Sequence, residues 1–300
     1  MPDPKENPWL YPHLVQSAEG LHLFARQALS AFMSGAHSSR RVGADQEFSQ
    51  YRSYQPGDDL RRLDWKVYAR SGRLYIREAE VQSRLFIRFV LDTSASMRHQ
   101  HGRWSKFDYA RAMIALFAFI SRKQQDEFAL FAANEQQNIQ QLPGNDKGYI
   151  HRFFHVLSQL EPADYWPEVD QLPYFPAQLN KNEMTIVFTD MYQQKEEWED
   201  TVRRLQQAKN EVVVFHLMAG NELHPEEWKK ATTLRDLESG ELLHLQTAAD
   251  RKESEESIQS FIGETRAFFR ERGISSALVN TDEEPHEAIS LFLKKRLMMQ

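Results

Sequence analysis

Two short stretches carry the side chains best suited to chemistry. Residues 84–97 read Arg-Leu-Phe-Ile-Arg-Phe-Val-Leu-Asp-Thr-Ser-Ala-Ser-Met, which places Asp92, Ser94 and Ser96 directly after an apolar run. Residues 184–190, Met-Thr-Ile-Val-Phe-Thr-Asp, end on Asp190 in the same way. Carboxylate and hydroxyl oxygens are hard ligands, suited to Mg²⁺ or Mn²⁺ rather than Zn²⁺. The same residue types also cap helices and open turns. Asp-x-Ser-x-Ser alone therefore leaves a cation site and a capped turn both open.

The elements around these residues must bring them together. A short run rich in Phe, Ile and Val suits a strand buried on both faces, as in the centre of a parallel sheet. Residues 127–133 and 211–217 have the same character. Helical stripes lie between these runs. Phe107, Ala110, Ile114 and Phe117 form one row over 106–123, with Met113, Leu116 and Ile120 beside it. Tyr149, Phe153, Val156, Leu157 and Leu160 form another stripe, and Trp198, Val202 and Leu205 a third. Two adjacent apolar rows mean a helix largely buried against a sheet. The alternation of strand and helix predicts an α/β fold with a doubly wound, mostly parallel sheet. Such sheets bind ligands beyond the carboxyl ends of their strands, so Asp92 and Asp190 are expected at one edge.

The remaining segments break this rhythm. Residues 1–12 are proline-rich, and a helical pattern follows over 14–33. Residues 36–81 lose helical periodicity and gain charge, which predicts a small β-rich subdomain closing on a strand at Leu74-Tyr75-Ile76. Residues 161–183 form a long connection rich in Pro, Tyr and Trp. Within 221–252, Asp236-Leu237-Glu238-Ser239-Gly240-Glu241-Leu242-Leu243 reads as a hairpin with a Ser-Gly turn. A helix ending near Gly273, an edge strand at 276–279 and a last helix follow. The expected organisation is an N-terminal extension and helix (1–35), the β-rich charged subdomain (36–82), and an α/β domain (83–300) with a hairpin insertion near 221–252.

Composition excludes several classes of function. There is no cysteine, so disulfides, thiolate zinc sites and Cys nucleophiles are absent. The net charge of −6 argues against a protein that coats nucleic acid. Arg52, Tyr54, Arg61, Arg62, Trp65, Tyr68, Arg70 and Tyr75 do interleave charge with aromatic rings. Asp45, Glu47, Asp58, Asp59 and Asp64 offset that charge, and no nucleic acid partner is expected. His99 and His101 lack a third partner in sequence, which favours solvated side chains over a metal site. No secretory pattern opens the chain, and its longest apolar run falls far short of the ~20 residues of a membrane-spanning helix. A soluble cytoplasmic protein without direct membrane insertion is expected.

Asp92-x-Ser94-x-Ser96, with Asp190 in a later Thr-Asp pair, resembles the metal-ion-dependent adhesion site of von Willebrand factor A domains. The upstream block is more specific. Glu47-Phe48, Tyr51-Arg52-x-Tyr54-x-Pro56-Gly57-Asp58-Asp59-x-Arg61-x-x-Asp64-Trp65, and Ala69-Arg70 through Arg77-Glu78 resemble the bacterial domain-of-unknown-function family number fifty-eight. That family carries this block before a von Willebrand A-like Asp-Thr-Ser-Ala-Ser-Met. The resemblance implies a non-enzymatic adaptor that works with a MoxR-type AAA+ ATPase in assembly, maturation or remodelling of client protein complexes. It also implies Mg²⁺ held by Asp92, Ser94, Ser96 and Asp190. Adhesion sites of this kind add a Thr from a loop between the two carboxylates, yet this chain has no Thr over 143–184. Asp164 stands at the expected place and is the candidate to supply a carboxylate instead.

The alternative is an Mg²⁺-dependent phosphotransferase or phosphatase-like enzyme using Asp92 and Asp190. Haloacid-dehalogenase-type enzymes need a second acid two residues after the nucleophilic Asp, and Ser94 stands there. No Gly-x-Ser-x-Gly and no glycine-rich phosphate loop is present. These absences weigh against an enzyme.

Overall fold

The computed structural model describes residues 12–36, 50–55, 65–78, 85–168, 170, 172, 182–192, 197–207, 210–224, 233–244 and 247–299. The family-like stretches at 47–48 and 56–64 and the proline-rich start lie outside the described residues. The chain divides into two compact units, residues 1–35 with 84–300, and residues 36–83.

A 3-10 turn (Pro12–Gln16) leads into helix α1 (Ala18–Ala36). The smaller unit then supplies β1 (Gln50–Ser53), α2 (Trp65–Ser71) and β2 (Tyr75–Glu78). The larger unit resumes with β3 (Leu85–Asp92), the short pair β4 (Gln100–His101) and β5 (Trp104–Ser105), and α3 (Lys106–Lys123). Next come β6 (Glu127–Ala133), β7 (Asn138–Gly144), α4 (Tyr149–Gln159), β8 (Asn182–Thr189), α5 (Glu197–Gln207) and β9 (Glu211–Met218). The chain closes with α6 (Gly220–Leu223), β10 (Thr233–Arg235), β11 (Leu242–His244), α7 (Ala248–Glu271), β12 (Ser275–Asn280) and α8 (Pro285–Met299).

The central sheet has six strands in the order β12-β9-β8-β3-β6-β7. All neighbours are parallel except β7, which runs antiparallel to β6 at one edge. The doubly wound, mostly parallel architecture follows. Strand β3 pairs with β6 on one side and with β8 on the other, so the winding reverses between β3 and β8. That reversal is the switch point where α/β sheets open a crevice.

Alternation along β3 divides its side chains between two cores. Ile87, Phe89 and Leu91 pack in the core that holds Phe24, Met113, Phe153 and Ile289. Val90 packs in the core that holds Trp166, Trp198, Val202 and Phe269. Helices therefore cover both faces, which is why β3 is apolar up to Asp92 with one exception. The exception, Arg88, forms an ion pair at 2.8 Å with Glu183 on the neighbouring strand β8. Among the described residues, no helix is long and apolar enough to cross a membrane.

Three elements depart from the sequence reading. The polar edge strand β7, Asn-Ile-Gln-Gln-Leu-Pro-Gly, is largely exposed and so carries no apolar run. Helix α2 lies in the segment read as β-rich, where β1 and β2 pair antiparallel. It spans only seven residues, and Trp65 and Tyr68 are exposed at 62 % and 42 %, so no buried stripe announces it. The N-terminal helix starts later than its stripe, because the Ser17 hydroxyl accepts the Gly20 amide at 3.1 Å while Leu14 lies in the preceding 3-10 turn. Its buried face, Leu21, Phe24, Ala25, Ala28 and Leu29, belongs to the core of the larger unit.

Candidate functional site

The register of β3 against β8 pairs Leu91 with Phe188, so Asp92 and Thr189 leave the sheet side by side. Asp190 follows at once. Both acids are buried at the carboxyl rim, at the switch point, together with Ser94 and Ser96. The backbone after β3 folds tightly there. The Ser94 amide donates to Asp92 Oδ1 at 2.8 Å, and a short 3-10 turn runs from Ala95 to Arg98.

A chain of oxygen contacts links the two stretches. The hydroxyls of Ser94 and Ser96 lie 3.1 Å apart, and the Ser96 hydroxyl donates to Asp190 Oδ1 at 3.1 Å. Thr189 Oγ1 donates to Asp92 Oδ2 at 2.8 Å and accepts the Met191 amide at 2.9 Å. Burial is the main force raising the Asp92 carboxyl, to about 7, and the charge of Asp190 adds to it. Hydrogen bonds from Ser94 and Thr189 act in the opposite direction.

Asp164 reaches this cluster through its backbone. Its carbonyl accepts the Ala95 amide at 2.8 Å, and the neighbouring Ala163 amide donates to the Thr93 carbonyl at 2.8 Å. The Asp164 backbone adopts φ of 55°, a left-handed conformation that Asp tolerates better than most residues. The loop thus fixes the shape of the Asp92 turn.

A buried cation completes the rim. Lys106, at the start of α3, is 1 % exposed. Its ammonium donates to Asp190 Oδ2 at 2.9 Å and to Glu222 Oε1 at 2.7 Å, and lies 4.6 Å from the centre of the Tyr192 ring. Burial alone would lower the Lys106 pKa, but Asp190 and Glu222 outweigh it and hold the ammonium above the ordinary lysine range. Glu222 is fixed in turn by the Ala219 amide, which donates to Oε2 at 2.7 Å. The short helix that presents Glu222 begins at Gly220, where a Cβ would stand 1.9 Å from Asp282 Oδ2 and would displace that carboxylate.

From beneath, His216 Nε2 contacts the Asp190 carbonyl oxygen at 3.0 Å. Burial pushes this imidazole down to about 4, against the pull of Asp190, so it is neutral near pH 7 and donates from Nε2.

The cluster faces a cavity of about 450 Å³ whose lining includes Ser96, Lys106, Tyr192 and Glu222 on one side, and the β10–β11 hairpin on the other. Glu238, in the hairpin turn, is part of that lining. It is pushed up to about 8, first by burial and then by the charges of Asp92 and Asp190, while the Ser96 hydroxyl pulls the other way.

Comparison with known proteins adds a family. Residues 50–260 match the model described as "Protein of unknown function DUF58". The chain belongs to this family. Two uncharacterized proteins, from Mycobacterium bovis and Mycobacterium tuberculosis, are each 32 % identical over 123 residues. That alignment covers 41 % of this chain and 39 % of the relative's length. Two solved structures are also similar. One is titled as the conserved hypothetical protein BatB from Bacteroides thetaiotaomicron, at 16 % identity, TM-score 0.42, covering 71 % of this chain and 99 % of that one. The other is titled as an aerotolerance-related membrane protein from Bacteroides fragilis, at 15 % identity, TM-score 0.44, covering 70 % and 99 %.

Of the residues singled out from sequence, Asp92, Ser94, Ser96 and Asp190 come together as side chains, and Asp164 as backbone. His99 and His101 do not join them. His99 Nε2 pairs with Asn221 at 3.0 Å, and His101 Nδ1 with Asp282 at 2.9 Å. Thr189 stands in the Thr-Asp pair and Glu238 in the Ser-Gly hairpin without being marked as site residues there, and Lys106, His216 and Glu222 carry no motif. Of these last three, Lys106 alone leaves a trace in sequence, since a lysine in a helix's first turn opposes the helix dipole and wants a carboxylate nearby.

The donor set fits a hard divalent cation in kind. Hydroxyls of Ser94 and Ser96 adjoin carboxylates of Asp92 and Asp190, and the raised Asp92 carboxyl is one that an added positive charge would return to its ionised form. Among the described residues, no three His, Asp or Glu side chains form a ready metal cage. Hydroxyls supply half of this set.

Proposed function

We propose that this protein is a non-enzymatic interaction adaptor that recognises a partner through the rim cleft at Asp92, Ser94, Ser96 and Asp190. The observation that carries the reading is the rigid oxygen cluster, locked by buried hydrogen bonds, at the mouth of a cavity of about 450 Å³. Mg²⁺ is the proposed cofactor, with Ser94 and Ser96 as hydroxyl ligands and Asp92 and Asp190 bound directly or through water. Mg²⁺ keeps several waters in its shell and would supply a Lewis-acidic position for a partner's oxygen. Asp164 would serve by shaping the Asp92 turn. The proposed partner is a MoxR-type AAA+ ATPase acting on a client complex in the cytoplasm.

Geometry favours this over phosphoryl transfer. Both Asp92 oxygens accept hydrogen bonds, from the Ser94 amide and the Thr189 hydroxyl, which is poor preparation for a nucleophile. Ser94 stands where such an enzyme needs an acid.

The test is a Mg²⁺ titration followed by thermal unfolding and calorimetry. A saturable rise in unfolding temperature, lost in Ser94→Ala plus Asp190→Ala, supports the reading. A purified MoxR-type ATPase should then be retained by the immobilised protein with Mg²⁺ and released by chelation. Absence of any Mg²⁺ response in the parent would sink the metal-dependent part, and turnover of an aryl phosphate abolished by Asp92→Asn would replace the adaptor with an enzyme.

A further inference from the structure

The hairpin opposite the cluster has a design that its own stability does not explain. Strands β10 and β11 share only three residue pairs, Thr233 with His244, Leu234 with Leu243, and Arg235 with Leu242. They form a separate two-stranded sheet. Isolated hairpins of this size are marginal in water. The turn is built without Glu238's side chain. Asp236 Oδ1 accepts the Glu238 amide at 2.8 Å, Asp236 Oδ2 accepts the Ser239 hydroxyl at 2.8 Å, and Gly240 takes φ of 74° where a side chain would be strained.

Glu238 is therefore free to serve another surface, and it lines the cavity that the oxygen cluster faces. Ser96, whose hydroxyl donates to Asp190, lines the same cavity. Among the described residues, its Oε1 is buried and has no hydrogen-bond partner. Lys106 does not serve it, because that ammonium is already divided between Asp190 and Glu222. Arg235 also lines the cavity, from the hairpin itself. A buried carboxyl oxygen left unbonded beside two further acids is costly unless a cation joins them.

We propose that Glu238 is an additional ligand to the rim cation, carried on the β10–β11 hairpin as a lid that the cation draws shut. The inference rests on the Mg²⁺ reading above and deepens it. An acidic side chain from a partner would have to displace Glu238 to reach the same position, so the lid sets a threshold for recognition. Without the cation, nothing in the cleft engages the unbonded Glu238 oxygen, and the lid loosens.

Hydrogen exchange of the full chain separates the possibilities, with Mg²⁺ alone as the probe. In Mg²⁺ the amides of 233–244 should exchange about tenfold or more slowly than in EDTA. In Glu238→Gln that difference should vanish, and Mg²⁺ affinity should fall about tenfold or more. Glutamine keeps the shape and the turn, and matching circular dichroism in EDTA would establish that the variant is folded. If Mg²⁺ raises the unfolding temperature through Ser94 yet leaves hairpin exchange unchanged, the lid proposal is overturned and the cation site stands. If the parent shows no response to Mg²⁺ at all, both fall.

Discussion

Replacing Lys106 by Met tests the electrostatic core of the site. The Lys106 ammonium is buried and donates at 2.9 Å to Asp190, which is fully buried, and at 2.7 Å to Glu222. Met conserves most of the volume, so the packing term is small. The change leaves two carboxylates without their counter-charge. Breaking a buried ion pair by removing one partner costs about 3–5 kcal/mol. Counting two charge-assisted hydrogen bonds at ~1.5–3 kcal/mol each leads to a similar total. With a urea m-value of ~3 kcal/mol/M, the midpoint should fall by roughly 1–1.7 M, read by tryptophan fluorescence and circular dichroism together. Adding Asp190→Asn and Glu222→Gln to Lys106→Met should recover a large part of the loss, because neutral amides need no counter-charge. A loss under ~1 kcal/mol, or a triple variant no more stable than the single one, would refute the argument that this lysine holds the rim together.

Two further outcomes follow from the same structure. Thr189→Val removes the hydroxyl shared by Asp92 Oδ2 and the Met191 amide, both buried, and should cost about 1–3 kcal/mol in chemical denaturation. His22 stacks on His151 with ring centres 5.3 Å apart, and its pKa is lowered first by burial and then by His151. Its folded-state pKa lies below the unfolded value, so the unfolded chain binds the extra proton first as pH drops. Stability contributed by neutral His22 is complete above about pH 6.5 and declines below it. In His22→Gln the unfolding temperature between pH 7 and pH 5 should fall less steeply than in the parent; equal slopes would dismiss the histidine as the cause.

The parallel sheet and its helices were legible because burial on both faces leaves an unmistakable record. Runs such as 85–91 and 211–217 are mostly apolar, and the α4 stripe of Tyr149, Phe153 and Leu157 repeats at helical spacing. Strand β7 and helix α2 leave no such record because exposed elements need no apolar pattern. The site divides along the same line. Asp92, Ser94, Ser96 and Asp190 stand next to buried strands, and strand ends are where sequence can be read. Glu222 and Glu238 lie 30 or more positions beyond Asp190, in a short helix and a hairpin turn whose acids look like any solvated charge.

Local sequence thus determined which strands are central and where each one ends, since hydrophobic burial acts residue by residue along the chain. Only the tertiary structure decided what surrounds those ends. Placing β3 beside β8 made Asp92 and Asp190 neighbours, the start of α3 set an ammonium against Asp190, and a distant turn brought Glu238 into the lining of the same cavity. These are contacts between segments far apart in sequence. Their energy comes from charge, distance and exclusion of water, quantities that exist only once the chain has folded.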